Sequence, residues 1–233
     1  MKKYQAVLFD LDGTLLPMDL DRFTKMYFGA IAKWLIPYGF EPDAVNDAIK
    51  RGSVAMVMND GSRSNEATFW SYFEGQLGKA DLQVFEQFYL TKAEKLSALC
   101  GFDPRAARVV SAVKQAGGAA ILATNPMFPA IFTNARARWA GLDVKDFSLV
   151  TTYENFNYCK PNPDYYREIL EREGLEASSC LMVGNDVEED MVPAASVGMD
   201  VFLLTDCLIN KKKRDISVYP HGDFDDLLSF LSQ

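Results

Sequence analysis

Ala6-Val7-Leu8-Phe9-Asp10-Leu11-Asp12-Gly13-Thr14 carries an apolar run directly into two acids and a glycine turn. Side chains alternate along an extended strand, so Asp10 and Asp12 leave it on the same side while Leu11 points away. Two carboxylates delivered to one spot invite a divalent cation. An Asp-Gly turn alone is ordinary loop chemistry, but directly behind a hydrophobic strand it becomes a candidate site.

Outward from this strand the pattern divides the chain. Phe23, Met26, Tyr27, Ala30, Ile31, Trp34 and Leu35 recur at three- and four-residue spacing behind Asp19 and Asp21, which predicts an amphipathic helix with a capped start. Further helical periods cover 43–57, 66–77 and 81–98. From Pro104, a residue suited to opening a helix, helices alternate with short apolar strands: helix 104–116, strand 119–124, helix 128–140, strand 147–152, helix 163–173, strand 180–184, helix 188–197, strand 200–204 and a last helix over 223–231. This alternation predicts an α/β fold, a doubly wound parallel sheet of Rossmann-like type with helices on both faces. The predicted domains are a core of residues 1–16 and 101–233 and an inserted helical domain of residues 17–100. Open parallel sheets take ligands beyond the carboxyl ends of their strands. Asp10, Thr124 and the Asn185-Asp186 pair each follow an apolar strand, and Lys160 lies in the loop after another, so four strand ends send polar groups into one crevice.

Composition narrows the function classes. At 233 residues, 48% hydrophobic and 24% charged, the chain is globular in type, long enough for one large domain or two unequal ones. A formal net charge of -8 argues against nucleic acid as a partner, since that surface needs clustered Lys and Arg. The one basic run, Lys211 to Arg214, reads as a solvated loop. No apolar signal region opens the chain and no stretch of about 18 apolar residues follows, which predicts a cytoplasmic protein with no membrane partner. Cys100, Cys159, Cys180 and Cys207 form no CxxC pair and read as reduced thiols. The single histidine, His221, stands outside every motif, which argues against Ser-His or Cys-His hydrolysis and against His-rich zinc sites.

The motifs carry a resemblance. Asp10-Leu11-Asp12-Gly13-Thr14-Leu15 resembles motif I of the haloacid dehalogenase superfamily, most of whose members are phosphatases. Ile121-Leu122-Ala123-Thr124-Asn125 resembles motif II, Lys160-Pro161-Asn162-Pro163 motif III, and Met182 to Asp190 motif IV. All four follow in order. The helical insert has the position and character of that family's C1 cap, and the stretch from Thr124 to Lys160 is too short for the larger alternative cap.

The resemblance implies a Mg²⁺-dependent phosphatase acting on a small phosphorylated metabolite. Asp10 would attack phosphorus to give an aspartyl-phosphate, and Asp12 would act as general acid and then general base. Thr124, with Asn125 beside it, would hold the phosphoryl oxygens, Lys160 would neutralise charge shared by phosphate and Asp10, and Asp190 would orient Lys160. Asp10 and Asp12 would bind Mg²⁺. The family commonly has an acid directly after the motif IV glycine, whereas here Gly184 is followed by Asn185 and then Asp186. Either Asp186 or Asn185 completes the metal shell; a carboxylate binds Mg²⁺ better than an amide, which favours Asp186. The loop Asn59 to Asn65 joins two predicted helices and could dip toward the ester, making Arg63 and Asn65 candidate substrate contacts. Phe69, Trp70, Phe73, Phe85 and Phe88 fall at helical spacing and read as cap core rather than as a substrate box. Two alternatives use the same residues: a phosphosugar mutase of β-phosphoglucomutase type, and a non-catalytic regulatory protein that binds a phosphate ester.

Overall fold

Ala6–Phe9 (β1) has no polar side chain to offer solvent, and all four residues are buried. Such a strand belongs in the middle of a sheet covered on both faces. The computed structural model describes residues 4–232 and sets β1 within a six-stranded parallel sheet. The other strands are β2 (Ala119–Leu122), β3 (Leu149–Val150), β4 (Cys180–Gly184), β5 (Asp200–Leu204) and β6 (His221–Gly222). Their order is β3-β2-β1-β4-β5-β6. Val7 and Phe9 enter one apolar cluster while Ala6 and Leu8 enter another on the opposite face. The predicted doubly wound α/β sheet is the fold observed.

Topology then fixes where the site lies. The chain winds outward from β1 through β2 to β3, then returns to place β4 on the other side of β1. Strand order reverses there, and a crevice opens at the carboxyl ends. Phe9 is level with both Leu122 and Val183, so Asp10, Ala123-Thr124 and Gly184-Asn185 emerge side by side.

Between β1 and the first core helix the chain forms α1 (Leu20–Leu35), α2 (Pro42–Val57), α3 (Asn65–Leu77) and α4 (Leu82–Thr91), then a 3₁₀ stretch over Ala93–Leu99. Asp19 caps α1, accepting from the Arg22 N–H at 3.0 Å, and Phe23, Tyr27, Ile31 and Leu35 form its buried stripe. The two crossings between insert and sheet lie together: Met18 pairs with Cys100, and the Gly101 N–H donates to Pro17 O at 2.7 Å. One apolar cluster runs from Phe73 and Phe88 in the insert to Phe9 and Val183 in the sheet. Each fully buried aromatic there contributes about 1.5–3 kcal/mol relative to exposure. The remaining helices are α5 (Pro104–Gln115), α6 (Ala130–Trp139), α7 (Pro163–Glu173), α8 (Val192–Ser196) and α9 (Phe224–Leu231).

Several boundaries differ from the sequence reading. The helix expected over 81–98 stops at Thr91, whose hydroxyl turns back to Gln87 O at 2.6 Å. The strand expected over 147–152 shrinks to two residues: the Thr151 N–H makes the last bond to β2, at Leu122 O, and the Thr152 N–H turns to Asn155 Oδ1. The helix expected over 188–197 becomes a π turn, Val187–Met191, followed by α8. Pro193 has no N–H to give the Glu189 carbonyl, which accepts instead from the Tyr166 hydroxyl at 2.8 Å. The basic run is exposed, with Lys212 and Arg214 paired to Glu188. Among the described residues no helix is long and apolar enough to cross a membrane, and the four cysteines are unpaired.

Candidate active site

Asp10 leaves β1 with its N–H bonded to Val183 O at 2.9 Å, which ties the strand's end to the neighbouring strand. The chain then turns tightly, Leu11 O accepting from both Thr14 N and Leu16 N. Gly13 sits at φ +85°, and a Cβ there would meet Asn185 Nδ2 at 2.3 Å, so backbone angle and space both require glycine. The turn brings Thr14 Oγ1 to 3.0 Å from Asp10 Oδ2 and 3.0 Å from Asn185 Oδ1. Asn185 Nδ2 donates to Cys207 O at 2.7 Å, which leaves the amide oxygen facing the Thr14 hydroxyl.

Lys160 is buried beside Asp10, its Nζ 2.9 Å from Asp10 Oδ1 and 2.6 Å from Asp190 Oδ1. The other Asp190 oxygen accepts from the Asn185 and Asp186 N–H groups at 3.1 and 3.0 Å. A Cβ on Gly184 would meet that oxygen at 2.2 Å. Gly184→Ala is therefore expected to lower stability by about 1–3 kcal/mol through overpacking, read as a lower Tm; an unchanged Tm would contradict this packing. Burial pushes the Asp190 carboxyl up to about 7, against the pull of Lys160 and with a further push from Asp10. Burial opposes the charge on Lys160, but Asp10 and Asp190 outweigh it and hold the ammonium well above its usual range. Glu189 is likewise pushed up to about 7 by burial, with Lys160 opposing. Asn125 ties these parts together: its Oδ1 accepts from Lys160 N at 3.2 Å and its Nδ2 donates to Glu189 Oε2 at 3.0 Å.

Asp12 takes a partner that the sequence did not reveal. Arg136, on α6 and fully buried, donates from Nη1 to Asp12 Oδ2 at 2.7 Å. Its guanidinium lies 4.3 Å from the ring centre of Phe128 and 5.0 Å from that of Phe132. Asp12 Oδ1 and Arg136 Nε are buried with no hydrogen-bond partner among the described residues. Burial raises the Asp12 carboxyl despite Arg136.

Asp10, Asp12, Thr124, Asn125, Asn185, Asp186 and Asp190 all line one cavity of about 430 Å³, whose other walls come from helices of the insert and from core residues including Phe128 and Tyr153. Lys160 lies beneath, against Asp10. Asp186 also caps the following turn, accepting from the Glu188 and Glu189 N–H groups at 2.7 and 3.1 Å. Arg63 and Asn65 are elsewhere. Arg63 is exposed and off the cavity wall. Asn65 is wholly buried, accepting from Asn59 Nδ2 and donating to Pro126 O and Tyr158 O, while its N–H bonds Phe156 O. The loop fastens the insert to the core because its amides satisfy backbone carbonyls of the neighbouring loops. The aromatic residues divide: Phe73 and Phe88 are core, whereas Phe69, Trp70 and Phe85 face the cavity.

The oxygens nearest Asp10 suit a hard cation. Asp10 Oδ2 and the Asn185 amide oxygen share one hydroxyl neighbour, and Asp186 stands one residue further along. All are carboxylate or amide oxygens, the donor type Mg²⁺ takes. Among the described residues, no three or more His, Cys, Asp or Glu side chains form a metal-holding group, so a metal here would also draw on amide, backbone or substrate oxygens.

Comparison with known proteins gives the same direction. Residues 4–198 match the family described as haloacid dehalogenase-like hydrolase. A phosphoglycolate phosphatase of Vibrio cholerae is 30% identical over 206 residues, covering 88% of this chain and 86% of its own. A glyceraldehyde 3-phosphate phosphatase of Methanocaldococcus jannaschii is 24% identical, covering 94% of this chain and 91% of its own. The crystal structure of a HAD phosphatase from Thermococcus onnurineus superposes with a TM-score of 0.60 at 19% identity, covering 97% of each chain, which shows the shared fold. With its motifs converging at the strand ends and its sequence matched over most of its length, the chain belongs to the haloacid dehalogenase-like hydrolases, as a phosphatase of that family.

Proposed function

We propose that this enzyme hydrolyses a small phosphate monoester in two steps, through an aspartyl-phosphate on Asp10, with Mg²⁺ as cofactor. The observation that carries this reading is the Asp10 carboxylate at the cavity floor, braced by Lys160 on one oxygen and Thr14 on the other, with Asp12 two residues on. An Asp10 oxygen attacks phosphorus as the ester P–O bond breaks, and Asp12 gives its proton to the departing alkoxide. Water then attacks, the P–O bond to Asp10 breaks, and Asp12 takes the water's proton. Burial lifts the Asp12 carboxyl against the pull of Arg136, which eases the uptake of the proton that the first step needs. Thr124 and Asn125 contact the phosphoryl group, Lys160 balances its charge, and Asp190 holds Lys160 in line. When bound, Mg²⁺ would supply Lewis-acid neutralisation of the phosphoryl charge. Asp10, the Asp12 carbonyl and a motif IV oxygen would hold it. The Asn185 oxygen is supported by its nearness to Asp10, and Asp186 by its charge.

Residues 17–100 act as the cap and residues 1–16 and 101–233 as the core in this reading. The unpaired cysteines support a cytoplasmic location. Phosphoglycolate and glyceraldehyde 3-phosphate, named for the relatives, belong in the first substrate panel with p-nitrophenyl phosphate. Phosphate release is expected with Mg²⁺ and to vanish in EDTA; equal release in both would overturn the metal requirement. Asn185→Ala and Asp186→Ala then separate the ligands, since the one that raises the Mg²⁺ concentration for half-activity by about tenfold or more is the ligand.

A further inference from the structure

The cavity is two-toned. Its floor is acidic and polar, built from strand ends of the core. Its walls are aromatic and aliphatic, including Phe28, Ile31, Phe69, Trp70, Phe85 and Phe128. The tyrosines in those walls offer few donors: Tyr27 and Tyr89 bond each other at 2.8 Å, which leaves that pair at most one proton to offer, and Tyr153 Oη accepts from Trp70 Nε1 and keeps its own proton. Lys50 is the only cationic side chain lining the cavity among the described residues, and it is exposed. Thr24 and Ser53 are the other polar groups that the insert contributes.

Such walls select by penalty. A carboxylate or second phosphate on the alcohol part of a substrate would lose water and face aromatic rings, whose faces are electron-rich. A polyhydroxylated sugar would leave several hydroxyls without partners. An uncharged ring gains by burial and by edge or face contact with these side chains. The volume, about 430 Å³, lies within the range of small-molecule sites. Resting on the phosphatase reading, we infer that the natural substrate is the phosphate monoester of an uncharged aromatic alcohol, held by the core at its phosphate and by the insert at its ring.

The test compares benzyl phosphate, ethyl phosphate and phosphoglycolate with the Mg²⁺-loaded enzyme, all three having alkoxide leaving groups. The expected result is a kcat/KM for benzyl phosphate about tenfold or more above the other two, carried mainly by KM. Phe28→Ser, at a half-buried wall position, should lower benzyl phosphate turnover more than ethyl phosphate turnover. Phosphoglycolate as good as or better than benzyl phosphate would overturn the inference, and its loss on Lys50→Ala would show that the wall reads a second anion. Turnover of none of the three would count against the phosphatase reading instead. The aromatic class is then decided by calorimetry with benzylphosphonate and 3-phosphonopropionate: tighter binding of the benzyl compound supports it, and equal or weaker binding overturns it.

Discussion

Asp10→Asn is expected to lower phosphate release by at least about 10⁴-fold while leaving the protein as stable as the wild type or more so. An amide is no nucleophile, so the covalent step fails. The stability half of the expectation comes from charge. Asp10 and Asp190 share one cation, Lys160, and all three side chains are buried. The mutual pressure is visible at Asp190, whose carboxyl is pushed up to about 7 by burial and by Asp10, with Lys160 opposing. Asparagine keeps an oxygen for Lys160 Nζ and removes one buried negative charge, leaving Lys160 and Asp190 as a balanced pair. Stability given up for function is common at active sites. Phosphate release and a thermal melt on the same preparation check both halves. Residual turnover above about one per cent would reject the nucleophile assignment under the same scale of effect. A Tm several degrees below wild type would reject the charge argument.

The fold was legible wherever burial is uniform. β4 and β5 are apolar runs in the covered sheet, and their bounds match the reading, as do those of α7. Legibility failed where a side chain competes with the ladder or a proline removes a donor. Thr151 and Thr152 look like strand residues, yet only the Thr151 N–H stays on the ladder, at Leu122 O; its hydroxyl goes to Thr124 O, and the Thr152 N–H and hydroxyl go to the Asn155 side chain. The π turn at Val187–Met191 depends on Pro193 and on a tyrosine from a different helix, a partner that no local window contains. β6 is two residues, His221 and Gly222, too short for any periodicity.

In the site, residues directly behind strands were readable because topology alone brings them together. Residues reaching in from a helix or loop were not. In Ala135-Arg136-Ala137-Arg138, spacing does not tell the buried Arg136 from the exposed Arg138, which pairs with Glu94 instead. A polar turn such as Asn59 to Asn65 reads alike whether it meets a ligand or a neighbouring loop. Here Asn65 fills its bonds with carbonyls of the core.

Arg136→Met should destabilise the protein by about 3–5 kcal/mol, the usual cost of removing one partner from a buried ion pair. At about 2–4 °C per kcal/mol for a chain of this size, Tm should fall by roughly 10 °C. The Arg136 guanidinium is wholly buried, lies against Phe128 and Phe132, and supplies the Asp12 carboxylate with an ionic partner at 2.7 Å. Methionine fills part of the volume but leaves the carboxylate facing sulfur and aromatic rings, with Asp12 Oδ1 already lacking a partner. Asp12→Asn alone strands the cation in the same way. The double variant removes both charges together, so its loss should be smaller than the sum of the two, with a coupling of about 0.5–3 kcal/mol. Arg136→Lys should recover little, because an ammonium cannot lie flat against the two rings while reaching Asp12. Thermal melts of the four proteins decide the matter: strict additivity, or an Arg136→Met Tm within a degree or two of wild type, would mean that the pair contributes nothing of its own. Activity should fall with stability in Arg136→Met, since Asp12 then loses the group that fixes its position over the site.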